Sequence, residues 1–258
     1  MVDELFSVAG KVALVTGGTS GIGRMIAQGF VDRGVTTYIA ARDQGRAEAT
    51  AAELSADGGQ CFGLAADLGH PDGPAQLIDA LKARESRLDI LVNNAGANNR
   101  GPIEDVTARA WDDVMDVNLR APFLLTQQAL PLLRAAASAE VHATVINIGS
   151  IGGLHVPNWG AYPYGASKAA IHHLTRALAK SLGADQIRVN AIAPGPFHSR
   201  LTDTTSETVK KSVQTYIPVN RPGEAEDVQG VCVFLASRAG AYVNGSTIAL
   251  DGGYIAAL

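Results

Sequence analysis

The sequence predicts a single-domain α/β fold: a doubly wound parallel sheet of about seven strands with helices on both faces. Short β-branched runs alternate with helix-length segments along the whole chain, the pattern of repeated strand–crossover–strand units. Each run is close to continuously apolar, as a strand covered on both faces requires. The first run passes directly into a glycine-rich turn and then a periodic helix, the arrangement of a nucleotide-binding βα unit. The 258 residues show no linker, low-complexity stretch or repeat period, so 1–258 reads as one domain.

The elements follow in order. VALVT from Val12 is the first strand, and Gly21–Arg33 the helix after it. VTTYIA from Val35 leads to helix Asp43–Ala56, with Asp43 suited to the N-cap. QCFGLA from Gln60 precedes helix Asp72–Arg84, and DILVNN from Asp89 precedes one long helix, Arg109–Ala137. TVINI from Thr144 leads to helix Tyr164–Leu182, where Pro163 suits the first turn and leaves Tyr162 outside. RVNAIAP from Arg188 is followed by a lid over about 198–219, then helix Glu224–Ser237 and the last strand, STIALD from Ser246.

Composition removes several function classes. Lys and Arg total 21 against 25 Asp and Glu, a net charge of −4, so nothing electrostatic argues for nucleic acid or anionic membrane. No apolar stretch approaches the ~18–20 residues that span a bilayer. The opening MVDELFSVAGK lacks the basic-then-apolar layout of a secretion signal. Cys61 and Cys232 stand far apart, without metal-ligand spacing. The expectation is a cytoplasmic protein in a reducing compartment, with no bound metal.

Two groups of residues carry chemistry. In TGGTSGIG (Thr16–Gly23), Gly17, Gly21 and Gly23 permit a tight turn and close approach of backbone N–H groups to a pyrophosphate at a helix N-terminus. Arg24 and Met25 stand where a phosphate-binding P-loop needs Lys and Ser or Thr. Farther on, Tyr164 and Lys168 are four residues apart, one turn on the same helical face. A free phenol has a pKa of ~10, and a neighbouring ammonium lowers it toward the working range of a general acid. Tyr162 has Ala166 at that spacing and no such partner. No GxSxG elbow supports a hydrolase. His172 and His173 read as helix-surface or interface residues, and Cys232 as a small core side chain.

TGxxxGIG, NNAG (Asn93–Gly96), YxxxK (Tyr164–Lys168), Pro194–Gly195 and Asp251–Gly253, in this order, resemble the classical short-chain dehydrogenase/reductase family, from Gly10 to Gly253. The resemblance implies a Rossmann-type fold and a catalytic set of Asn118, Ser150, Tyr164 and Lys168. It implies a nicotinamide dinucleotide along Gly17, Thr19, Ser20, Gly21, Ile22, Gly23, Arg42, Asp67, Leu68, Asn93, Ala95, Gly96, Tyr164, Lys168, Pro194, Gly195 and Ser199. In members that use NAD, an acid sits at the position of Ala41. Here it is missing and Arg42 follows, a planar fork suited to a 2′-phosphate, so NADP(H) is favoured over NAD(H). Many NADPH-using members carry a basic residue where this chain has Ser20. The run of motifs looks most like the 3-oxoacyl-[acyl-carrier-protein] reductases of the rhamnolipid-biosynthesis type. The expected reaction is hydride transfer from NADPH to a small-molecule carbonyl, an acyl thioester among the candidates, with Tyr164 as general acid. An NAD(P)-dependent alcohol or sugar dehydrogenase is the alternative, and a cofactor-binding sensor or scaffold the non-enzyme one. By the same analogy the Arg109–Ala137 and Tyr164–Leu182 helices form the seam of a homodimer or homotetramer. Asn98, Asn99, Arg100, His155, Val156 and Trp159 are expected at the mouth of the site, with Leu201, Val209, Val213, Tyr216 and Ile217 in the lid.

Overall fold

The structure, a computed structural model, describes residues 4–156, 160–199 and 204–257. In chain order the elements are β1 (Val12–Thr16), α1 (Gly21–Val31), β2 (Thr36–Ala41), α2 (Gln44–Leu54), β3 (Cys61–Ala65), α3 (Gly73–Lys82) and β4 (Ile90–Asn93). They continue with α4 (Ala108–Met115), α5 (Ala121–Ala136), β5 (Ala143–Ile148), α6 (Tyr162–Leu182), β6 (Ile187–Pro194), α7 (Glu207–Tyr216), α8 (Ala225–Ala236) and β7 (Thr247–Leu250). All seven strands are parallel, in the order β3-β2-β1-β4-β5-β6-β7.

The strand alternation sorts the core into two layers. In β1, Ala13 and Val15 face α1 and α8, packing with Ile26, Phe30, Val228 and Cys232. Val12 and Leu14 face the other way, toward Leu77, Leu81, Leu125 and Leu133 of α3 and α5. Strand order reverses between β1 and β4, so a crevice opens beyond their carboxyl ends, where such sheets take ligands. Among the described residues no helix is long and apolar enough to cross a membrane.

Three local expectations are corrected. Coverage on both faces holds for β1, β4 and β5 but not at the sheet edges, where β3 alternates buried and exposed residues and β7 is only partly covered. On β3, Gly63 lies against the backbone of Ala47 and Glu48 in α2, while Phe62 stays exposed and stacks on Tyr38 at 5.2 Å. The Arg109–Ala137 segment is not one regular helix. A π-turn, Asp116–Arg120, separates α4 from α5, and Pro122 has no N–H to give the carbonyl of Asn118, four residues back. Helix α6 starts at Tyr162, with Pro163 in its first turn. Tyr162 is therefore inside the helix, because a first-turn residue needs no intrahelical N–H bond and Pro163 costs nothing there.

Candidate active site

A cavity of about 870 Å³ opens over the carboxyl ends of β1, β4, β5 and β6. Its floor at one end is the Gly17–Gly23 turn. Asn94 laces that turn to β4: its Nδ2 donates to the carbonyls of Thr16 (2.8 Å) and Gly17 (3.3 Å). The hydroxyl of Thr16 accepts from the N–H groups of Asn94 and Ala95, at 2.9 and 3.0 Å. A Cβ at Gly23 would overlap Asn94 Nδ2 and the Gly17 carbonyl. Gly17 adopts φ +65°, a left-handed conformation that favours glycine.

The donor set here fits a dinucleotide phosphate. Ser20 caps α1 without a side-chain hydrogen bond to the helix, so its hydroxyl and the first-turn N–H groups are available to an anion. Arg24 is held away by Glu53 at 2.7 Å. At the end of β2, Arg42 is exposed and lines the cavity. The carboxylate of Asp43 is engaged: it accepts from Arg46 N at 2.6 Å as N-cap of α2. Among the described residues no carboxylate pairs with the Arg42 fork beside the β2 end, and the Ala41 position carries no carboxylate to repel a phosphate. Asp67, whose Oδ1 accepts from Gly69 N at 3.0 Å, and buried Leu68 form the next wall.

The far end of the cavity carries the chemical groups. Ser150 ends the β5 loop and lines the cavity, its Oγ held by the N–H of Gly152 at 3.0 Å. Burial raises the Tyr164 phenol above its ordinary range, while a hydrogen bond with Ser150 and the charge of Arg100 pull it back. Lys168 lies 5.6 Å from the centre of the Tyr164 ring, and its Nζ donates to the Ile148 carbonyl at 2.7 Å. Burial lowers its ammonium to about 8. Serine, tyrosine and lysine thus converge on one wall from β5 and the first two turns of α6. Pro194, Gly195 and Ser199 close the opposite side; a Cβ at Gly21 would meet Ser199 Cβ at 2.9 Å.

Most of the residues named from sequence line this cavity: Gly17, Thr19, Ser20, Gly21, Ile22, Gly23, Arg42, Asp67, Leu68, Ala95, Gly96, Ser150, Tyr164, Lys168, Pro194, Gly195 and Ser199. Two do not. Asn93 points into the sheet, donating to Asn147 Oδ1 at 2.8 Å in a buried ladder that continues from Asn147 to Thr175 at 2.9 Å. The period-two alternation of β4 turns Asn93 away from the cavity and hands that place to Asn94. Asn118 is buried beneath the wall, its side chain occupied by the N–H (2.8 Å) and carbonyl (2.9 Å) of Ala97 and by Ser167 (3.0 Å). It is a positioning residue that clamps the loop after Gly96.

His172 is another correction. It is buried, 3% exposed, behind Gly149, whose missing Cβ makes room for the imidazole. Burial, with the charges of Lys168 and Arg176, lowers it to about 4, so it is neutral at physiological pH. His173 is exposed, as expected, and Cys232 is fully buried in the core. At the mouth, Asn98, Arg100 and His155 line the cavity, whereas Asn99 does not and Val156 points to solvent, 91% exposed. The lid shows a different face from the apolar one expected. Ser206, Thr208, Val209 and Ser212 line the cavity, while Val213 and Ile217 turn inward and Tyr216 outward to Tyr254. Amphipathic α7 explains this: its apolar stripe is spent on anchoring the lid. Trp159 and Leu201 lie outside the described residues. Sequence reasoning missed Asn94 and Tyr254 as lining residues, though the doubled Asn of NNAG and the alternation of β4 could have assigned the first.

Residues 17–255 match a family model described as enoyl-(acyl carrier protein) reductase. The chain is 45% identical, over 96% of its length and 98% of the relative's, to the rhamnolipids biosynthesis 3-oxoacyl-[acyl-carrier-protein] reductase of Pseudomonas aeruginosa. It is 36% identical to 2-dehydro-3-deoxy-D-gluconate 5-dehydrogenase of Dickeya dadantii, over 99% of the chain and 100% of that protein. The solved Pseudomonas aeruginosa RhlG/NADP active-site complex superimposes with a TM-score of 0.93 at 45% identity, covering 98% of this chain and 99% of that one. A doubly wound sheet, a glycine cradle at its switch point and a Ser–Tyr–Lys wall agree with these matches: the chain belongs to the short-chain dehydrogenase/reductase family of NAD(P)-dependent oxidoreductases.

Proposed function

We propose that this protein reduces the ketone of a 3-oxoacyl thioester to the 3-hydroxyacyl form with NADPH. The observation that carries the reading is the Ser150–Tyr164–Lys168 wall facing the same cavity as the Gly17–Gly23 cradle and Arg42. NADPH supplies the hydride when bound. The chain's residues do the rest. Ser150 hydrogen-bonds the ketone oxygen and Tyr164 gives it a proton as charge develops. Lys168, cationic below about pH 8, stabilises the phenolate left behind and holds the ribose. Arg42 and Ser20 hold phosphate, and Asp67, Leu68, Ala95 and Gly96 line the cofactor's path. The acyl thioester reading is supported by the 45% identical relative, which carries that activity in its name. A polyhydroxy acid is the second reading, favoured by the hydroxyl-lined lid of Ser206, Thr208 and Ser212.

The test is steady-state turnover in both directions: consumption of NADPH and of NADH with an acetoacetyl thioester, and formation of NADPH and NADH from NADP and NAD with 2-dehydro-3-deoxygluconate, whose 5-hydroxyl would be the group oxidised. Faster turnover of the thioester with NADPH supports the first reading; turnover of the sugar acid alone replaces it with the second. Arg42→Ala should raise KM for NADPH about 10–100-fold, the worth of a charge-assisted phosphate contact, and leave KM for NADH within a few-fold. Equal changes for the two cofactors would remove Arg42 from 2′-phosphate recognition.

We also propose one catalytic domain in a cytoplasmic homodimer or homotetramer. Two buried free thiols suit a reducing compartment. An apolar groove of about 500 Å³, formed by Met115, Leu119, Phe123, Ala170 and Leu174 along the π-turn, α5 and α6, suits a second copy of the chain. Sedimentation at micromolar concentration should give a dimer or tetramer mass; a monomer overturns this assignment.

A further inference from the structure

The loop after Gly96 is clamped at both ends over the reacting groups. Its start is fixed by Asn118, which takes the N–H and carbonyl of Ala97 at 2.8 and 2.9 Å. Its end is fixed by Gly101, whose N–H donates to the Gly160 carbonyl at 3.1 Å, four residues before Tyr164. Gly160 holds φ +54°, and a Cβ there would stand 2.5 Å from the Gly101 carbonyl, so the two strands of chain touch backbone to backbone. Asn98 and Arg100 lie between these clamps and both line the cavity. The Oδ1 of Asn98 is buried with no hydrogen-bond partner among the described residues, an acceptor left for a ligand to satisfy. Arg100 brings a planar cationic donor to the same wall as Tyr164. The charge of Arg100 also acts on the Tyr164 phenol, an effect common to every ketone, so a comparison between substrates isolates what these two residues contact.

We infer that Asn98 and Arg100 form a second anchor that selects ketones carrying a carboxyl-level group two carbons away. Arg100 donates to the acyl oxygen of that group, and Asn98 accepts an N–H from the amide arm beyond it. With the ketone held by Ser150 and Tyr164 and the acyl oxygen held by Arg100, a 1,3-dicarbonyl is fixed at two points, which orients the reducible carbon. A ketone with one carbonyl is held at one point only. The inference deepens the thioester reading of this site and rests on it. Free 3-oxo acids share the acyl oxygen but lack the amide, so substrates separate the two contacts.

The experiment measures kcat/KM for three NADPH-dependent reductions: S-acetoacetyl-N-acetylcysteamine, ethyl acetoacetate and cyclohexanone. Arg100→Met should lower the ratio of either acetoacetyl compound to cyclohexanone by about 10–100-fold, the range for a lost hydrogen bond from a charged group. Arg100→Lys, which keeps the charge without the fork, should lose less. Asn98→Ala should lower the cysteamine thioester relative to ethyl acetoacetate by about 5-fold. NADPH binding, followed by fluorescence, verifies that each variant is folded. Equal losses on all three substrates, or unchanged ratios, overturn the anchor. Wild-type protein that reduces cyclohexanone but neither acetoacetyl compound overturns the thioester reading itself, a result visible before any variant is made.

Discussion

Tyr164→Phe should lower kcat for carbonyl reduction by about 10²–10⁴-fold, the usual contribution of a positioned general acid, with the affinity for NADPH changed no more than a few-fold. The ring is kept and only the hydroxyl is lost, so the cavity wall stays in place. Burial holds the phenol protonated well into the alkaline range, with Ser150 and Arg100 pulling against it. The acid form required for reduction is therefore present at neutral pH. Lys168 is the partner that changes charge, losing its proton through about pH 8. The wild-type reduction rate should therefore fall as pH rises through that value, while the residual rate of the phenylalanine variant, with no phenolate to stabilise, should follow pH far less. Stopped-flow hydride transfer between pH 6 and 10 reads both. A variant that keeps most of the wild-type rate would remove Tyr164 from the chemistry and leave the proton to water or to Tyr162, which is exposed.

Much of this site was legible because its parts are spaced by secondary-structure periods. Tyr164 and Lys168 fall together on α6 by the four-residue spacing alone, and the glycines of Thr16–Gly23 announce a turn whose backbone must approach another group. The Asp43 N-cap was equally readable from a carboxylate set before a helical run. What sequence could not assign was direction. Asn93 and Asn94 are chemically identical neighbours, and only the pleat of β4 decides that one laces the sheet and the other the cofactor turn. His172 looked like a surface residue because its burial depends on Gly149, a residue on another element whose absent side chain creates the space. Likewise the apolar lid residues could be named from sequence but not their direction: α7 turns Val213 inward and leaves the hydroxyls of Ser206, Thr208 and Ser212 on the cavity side. The π-turn at Asn118 is an intermediate case. Pro122 is a visible cause, yet a helix of this length can absorb one proline in several ways.

Lys168→Met should abolish most activity, by a factor of about 10²–10⁴, and change how stability responds to pH. The folded protein holds the lysine proton less tightly than an unfolded chain does, because burial lowers the ammonium from 10.5 to about 8. Below pH 8 both states are protonated and the folded state bears the full cost of a buried charge. Between about 8 and 10.5 the unfolded chain binds more protons, so stability rises with pH and the cost is relieved. Methionine, similar in length and uncharged, never carries that cost. Each pKa unit is worth ~1.4 kcal/mol, so wild type should gain on the order of 2 kcal/mol on the variant between pH 7 and pH 9.5. Loss of the hydrogen bond to the Ile148 carbonyl lowers the variant at both pH values and drops out of the comparison. Denaturant unfolding of the cofactor-free proteins at the two pH values measures the difference directly. Parallel pH dependence would mean that Lys168 bears no charge penalty in the fold. Convergence toward or past the variant at high pH would show a charge kept at a cost in stability, because the adjacent tyrosine needs it to hold a negative charge during the reaction.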